Sequence, residues 1–182
     1  MRKKILLVTL LISTIIAFAQ DNPQTAIGKL GPDPIFLIDS QKVRQSDLLK
    51  YSPDSIATVI ILYDTSAIKN YGDSAKDGAV IIETRSFARS NFIAFFRKSS
   101  QPYDSLYKVV GNDNSFTYIL NDKVQKGNYE GNLSAISEEL FGGLEILTKE
   151  QLYLKYNIRD KQFGILVHSK TPIDVYNGEK KF

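Results

Sequence analysis

Two stretches of the chain carry the same run of apolar and polar positions. Leu62 to Arg85 reads LYDTSAIKNYGDSAKDGAVIIETR, and Leu147 to Lys170 reads LTKEQLYLKYNIRDKQFGILVHSK; they match without a gap at an offset of 85 residues. Each predicts an apolar strand end, a short helix, a polar turn and a buried strand closed by a basic residue. A repeat of this length implies two copies of one small module.

The elements around the repeat follow from the same pattern. Pro34–Ile38 is a compact apolar run before the turn-forming pair Asp39-Ser40, and reads as a strand. Ser46–Lys50 suits one helical turn, and Ser52-Pro53 suits a cap followed by a first helical position. Ala57–Tyr63 is β-branched and apolar throughout, as a strand covered on both faces would be. Thr65–Tyr71 predicts a helix stopped by Gly72, and Ala79–Thr84 a strand after the Asp77-Gly78 turn. In the second copy the strands are Phe116–Leu120, Leu144–Leu147 and Phe163–Val167. The helices are Leu133–Leu140, with Ser137-Glu138-Glu139 on its polar face, and Lys149–Tyr156. Between the copies, Asn91–Lys98 and Tyr103–Val110 read as helices whose aromatics pack the two copies together. The expected fold class is α+β: two tandem β-α-β-α-β modules, over 34–86 and 112–172, joined by an aromatic helical linker over 87–111. A flexible lead over 20–33 and a polar tail over 173–182 flank them.

The N-terminus changes the setting. Arg2, Lys3 and Lys4 precede the apolar run Ile5–Ile16, and Ala17-Phe18-Ala19 supplies the small residues a signal peptidase reads. Residues 1–19 are expected to be a cleaved signal peptide, since the run is shorter than the roughly 20 residues a bilayer span takes. The expected location is the periplasm or the exterior of a Gram-negative bacterium, with no membrane-spanning segment in the mature chain. Without the three basic residues of the leader, Lys plus Arg equals Asp plus Glu at 20 each. A neutral chain gives no reason to expect nucleic acid as partner. There is no cysteine, so neither a disulfide nor a lipid-bearing N-terminal Cys is available.

The first copy resembles the plug domain of TonB-dependent outer-membrane receptors. Pro34-Ile35-Phe36-Leu37-Ile38-Asp39, Ser52-Pro53-Asp54-Ser55-Ile56 and Val59-Ile60-Ile61-Leu62-Tyr63-Asp64 carry the likeness. Ser66-Ala67-Ile68, Tyr71-Gly72 and Ala75 to Arg85 complete it in order. Ser40 stands where that family usually has Gly. The second copy keeps Tyr156, Gly164 and Lys170 and looks like a diverged plug-like module. The resemblance implies a small αβ fold and an envelope setting. No barrel of alternating strands follows, so the transport function of the family is not expected here.

Catalytic and metal chemistry find little support in the residue pattern. His168, the single histidine, lies in the closing strand at the position matched by Glu83. There is no Gly-x-Ser-x-Gly elbow and no phosphate loop. Asp73 and Asp77 lack the spacing of a calcium loop. Glu138 and Glu139, as helix neighbours, would not face one another. The expectation is therefore a non-enzymatic envelope module without cofactor or metal, binding an outer-membrane receptor, an envelope sensor or a glycan. Phe92, Phe95, Phe96 and Tyr103 are its candidate contact residues. The alternatives are a minor periplasmic hydrolase using His168 and a purely structural protein whose second copy caps the first. Ser55, Ser74 and Ser105, each in an Asp-Ser-apolar triplet, resemble acceptors of a periplasmic O-glycosylation system.

Overall fold

The structure, a computed structural model, describes residues 29–170. The signal peptide expected over 1–19, positions 20–28 of the lead and the tail over 173–182 lie outside the described residues. The fold is mixed α and β, with two four-stranded sheets and several helices.

In the first sheet β1 (Ile35–Ile38) turns tightly into β2 (Gln41–Val43) through Asp39 and Ser40, both left-handed with φ of 49° and 67°. Such residues supply the twist a two-residue hairpin needs. Two 3₁₀ turns, Gln45–Lys50 and Pro53–Ser55, lead into β3 (Ile56–Leu62). Helix α1 (Asp64–Tyr71) ends at Gly72, and β4 (Ala79–Thr84) follows. The strand order is β2-β1-β4-β3, with β1 and β4 parallel and the other pairs antiparallel.

Two helices come next, α2 (Arg85–Ser99) and α3 (Gln101–Val110). The second sheet holds β5 (Phe116–Leu120), β6 (Lys123–Val124), β7 (Phe141–Thr148) and β8 (Phe163–Ser169). Between β6 and β7 lies α4 (Glu130–Ser134), and between β7 and β8 lies α5 (Lys149–Tyr156). Its order, β6-β5-β8-β7, repeats that of the first sheet.

The correspondence extends to single residues. Val59 pairs with Ile82 and Leu144 with Val167; Leu62 pairs with Ala79 and Leu147 with Gly164. The register slips between Ile56 and Thr58 in one sheet and between Phe141 and Gly143 in the other. The left-handed residue ending α1 is Gly72, and the one ending α5 is Asn157. The first turn also holds both sheets alike: Thr84 N–H donates to Asp39 Oδ1 at 2.7 Å, and Ser169 N–H to Asn121 Oδ1 at 2.9 Å.

Each sheet buries one face under its internal helix. Ala67 of α1 packs with Ala79, Ala75, Ile35 and Leu37. In the second sheet Leu152 stands in the place of Ala67, among Ile119, Leu147 and Leu166. Gly164 makes room for it, since a Cβ there would lie 2.6 Å from Leu152 Cδ2.

The opposite faces differ. On the second sheet, Phe116, Tyr118, Leu120, Ile165 and Val167 lie under Phe92, Phe96 and Tyr103. Helix α2 starts at the Thr84 cap, whose hydroxyl accepts from Phe87 N–H, and sets Ala88, Phe92 and Phe96 on one buried stripe. Helix α3 is capped by Ser100 and buries Tyr103, with Leu106, Tyr107 and Val110 on the same side. Each fully buried aromatic contributes roughly 1.5–3 kcal/mol. The aromatic helices thus belong to the second core, which corrects the expectation that they fill the space between the copies.

Other expectations change locally. The helix expected over Leu133–Leu140 is the five-residue α4, and Glu138 and Glu139 fall on the turn that follows it. Within the lead, Gly31 N–H is fixed to Asp77 O at 2.8 Å, so positions next to β1 belong to the fold. No helix among the described residues is long and apolar enough to cross a membrane.

Candidate functional site

The face of the first sheet that corresponds to the aromatic core of the second is left partly open. Ile38 and Ile82, from the centre of the sheet, form its floor, and Ile56 and Val59 of β3 form one side. The two 3₁₀ turns fold Leu48, Tyr51 and Pro53 against them. Together these seven side chains bound a groove of about 340 Å³. Val59 is 37% exposed and Tyr51 39%. At matched positions the second sheet has Leu120, Val167 and Leu144, all packed against the core that holds Phe92 and Phe96.

The turn that shapes the groove is locked by Asp47. Its carboxylate accepts from Lys50 Nζ at 2.6 Å and from the Arg44 N–H and guanidinium. Those bonds, Lys50 foremost, hold its carboxyl far below the usual carboxylate range. Asp54, exposed at the edge next to Pro53, has no ion pair among the described residues.

A second polar arrangement joins the halves. Glu130, 3% exposed, receives a two-bond fork from Arg85, Nε to Oε2 at 3.0 Å and Nη2 to Oε1 at 2.9 Å. Arg89 donates to Asp113 Oδ1 at 2.9 Å and lies 3.6 Å from Glu130. Tyr118 donates to Asp113 Oδ2, and its hydroxyl lies 2.9 Å from that of Tyr103. Burial pushes both phenols well above their ordinary range, so neither is a nucleophile near neutral pH. Asn128 Nδ2 donates to Ile56 O at 2.8 Å, and Ser134 Oγ to Glu83 Oε2 at 3.4 Å. Gly131 sits so close to β3 that a Cβ would lie 2.8 Å from Ala57 O. Arg85 and Arg89 match Glu130 and Asp113, which suits a rigid joint, whereas Glu83 has only the Ser134 hydroxyl.

The residues singled out from sequence are dispersed. Phe92, Phe96 and Tyr103 are buried in the second core, and Phe95 packs edge-on against Phe141 with ring centroids 5.3 Å apart. That corrects their assignment as an exposed contact surface: the same spacing that makes α2 amphipathic aims its rings into its own sheet. His168 Nε2, on the inner strand β8, lies 3.1 Å from Glu145 Oε1 on the edge strand β7, and both side chains reach solvent. No third hydroxyl completes that pair into a nucleophilic set among the described contacts. Asp73 and Asp77 border a separate polar depression beside β1 and β2, and no cluster of three metal-ligating side chains occurs among the described residues. Ser55 and Ser74 donate to Ser52 O and Tyr71 O in 3₁₀ turns, and Ser105 is exposed on α3.

The chain matches no family model, no curated protein and no solved structure. Function is accordingly read from the chemistry of the site. The groove was missed because its lining comes from three separated segments. One sequence signal does point to it: the aromatic helical segment occurs once, between two copies that each have a face to cover.

Proposed function

We propose that the protein is a non-enzymatic binding module of the bacterial cell envelope, built from two plug-like copies, and that its working surface is the groove on the first sheet. The observation that carries this reading is the partly open apolar groove at the position where the second sheet is covered by helices. Apolar surface left uncovered costs stability, and contiguous patches of it mark interaction sites. The leader pattern supports an exported setting. The plug-like likeness of the first copy supports association with an outer-membrane receptor or an envelope sensor. Ser40, which takes the place of the family's Gly, holds the left-handed backbone such a Gly would adopt. Fold likeness alone leaves the activity open, so the groove bears the argument.

The test is capture by the tagged exported protein from cross-linked native envelopes, read by mass spectrometry against a Val59→Asp control. The reading predicts one receptor or sensor recovered with the native groove and lost with the variant. Equal recovery with both would overturn it. The same preparation serves for the glycan proposal: an intact mass equal to that of the unmodified chain would remove Ser55, Ser74 and Ser105 as acceptors.

A further inference from the structure

We infer that the groove on the first sheet receives an amphipathic helix from a partner protein. That helix carries large apolar side chains four residues apart and a basic residue just beyond them. The inference rests on the binding-module reading and gives it a ligand chemistry.

The template for the occupant is inside the molecule. On the second sheet Phe92 and Phe96 of α2 lie over a floor that includes Tyr118, Leu120, Ile165 and Val167, flanked by Leu144 and Ile146. The matched residues of the first sheet are Phe36, Ile38, Val80, Ile82, Val59 and Ile61, all apolar. Strand order, register and bulge agree, so the two floors present the same pleat and twist. Leu48 already packs on Ile38 and Ile82, so a helix would seat along the groove beside Val59 rather than over the whole floor.

Charge near the rim gives a cue to orientation. Two residues beyond Phe96, Lys98 Nζ meets Glu138 Oε1 at 2.7 Å, on the turn before β7. The matched turn before β3 holds Pro53 and Asp54, with Asp54 in the place of Glu139. Glu138 itself is matched by Pro53, so the nearest carboxylate is that of Asp54, one position along the turn, exposed and without an ionic partner among the described residues. The groove is also continuous with an interface the molecule already uses. Ile56 lines it, and the Ile56 carbonyl is the acceptor for Asn128 at the joint between the halves. A seated helix would therefore lie against β3 beside that joint, as α2 lies beside β7.

The experiment titrates the exported protein into a fluorescein-labelled peptide with the sequence of residues 85–99, read by anisotropy. Because a 15-residue peptide pays to become helical, saturable binding is expected with a Kd of about 10–100 μM. Val59→Asp should weaken it at least about tenfold, since it places a charge on the groove wall. Asp54→Lys should weaken it about threefold at low salt and much less at 1 M salt. Leu154→Asp, on the far helix, should leave it unchanged; circular dichroism checks that each variant is folded. No saturable uptake, or uptake that Val59→Asp leaves intact, would overturn the inference. So would a self-associated protein that Val59→Asp dissociates, which would make a second copy the occupant. Purified components read the groove alone, so this titration and the envelope capture can fail independently.

Discussion

The two sheets share strand order, register, hairpin turn and bulge, yet one has its second face packed under two aromatic helices and the other keeps a groove there, with Ile38 and Ile82 buried at its floor and Val59 exposed at its side. The shared features are local. They depend on a left-handed pair after the first strand, on a polar side chain of that pair bonding Thr84 or Ser169, and on a left-handed residue ending the internal helix. Side-chain size adapts around them: Ala67 on Ala79 becomes Leu152 on Gly164. The seal comes from α2 and α3, which lie outside the repeated unit. The backbone plan can therefore be copied without the cover, and the copy that lacks it keeps a partly open apolar groove.

The comparison breaks most sharply at Phe96. Its ring is fully buried against Phe92, Tyr103, Tyr118 and Phe141. Phe96→Ala should cost about 4 kcal/mol in urea unfolding, whereas Val59→Ala in the groove should cost under about 1 kcal/mol. Next comes the joint between the halves. Arg85→Ala leaves the buried Glu130 carboxylate with only the 3.6 Å approach of Arg89, and should cost about 3 kcal/mol. Hydrogen exchange should then rise first around Asn128 and the start of β3.

The matched turns give a smaller contrast. Asp39 accepts from both Thr84 N–H and Thr84 Oγ1, a charge-assisted pair in part-buried surroundings. Asp39→Ala should cost about 2 kcal/mol, and Asn121→Ala, which loses exposed neutral bonds, about 1 kcal/mol. Thermal unfolding of the two variants side by side measures the difference.

The smallest effect lies at Glu83, matched by His168. Burial raises the Glu83 carboxyl above its ordinary value, the Ser134 hydroxyl opposes the shift, and Asp39 adds to it. The folded state thus favours the protonated acid. Its contribution is full below the ordinary carboxylate value of about 4.3 and is lost as pH rises through the raised one. Glu83→Gln should be more stable than the native chain at pH 7, by less than about 1 kcal/mol with solvent screening. The difference should vanish near pH 3. Denaturant curves at both pH values read the sign.

Much of the plan was legible in the chain. The offset of the repeat carries over into the pairing of β3 with β4 and β7 with β8, and Phe116–Leu120 and Lys149–Tyr156 coincide with β5 and α5. β2 and β6 span only three and two residues, too few to show alternation. The start of α2 at Arg85 carries no Gly or Pro, because Thr84 ends a strand and caps a helix at once. The joint was hidden for another reason: Arg85 and Arg89 meet acids 24 to 45 residues away, and sequence patterns report neighbours. The groove was illegible because its apolar residues read as ordinary core. Only the folded sheet shows that Leu48, Tyr51 and Pro53 cover them in part and leave Val59 exposed.

The openness of that face is the point on which the account turns, and the absence of cysteine makes it directly measurable. Val59→Cys and Leu144→Cys place one thiol each at matched positions of the two sheets. The rate of maleimide labelling under native conditions then reads the cover over each. The account predicts labelling at position 59 at least about tenfold faster than at 144. Equal protection at both would mean that the first sheet is sealed as well, and would contradict it.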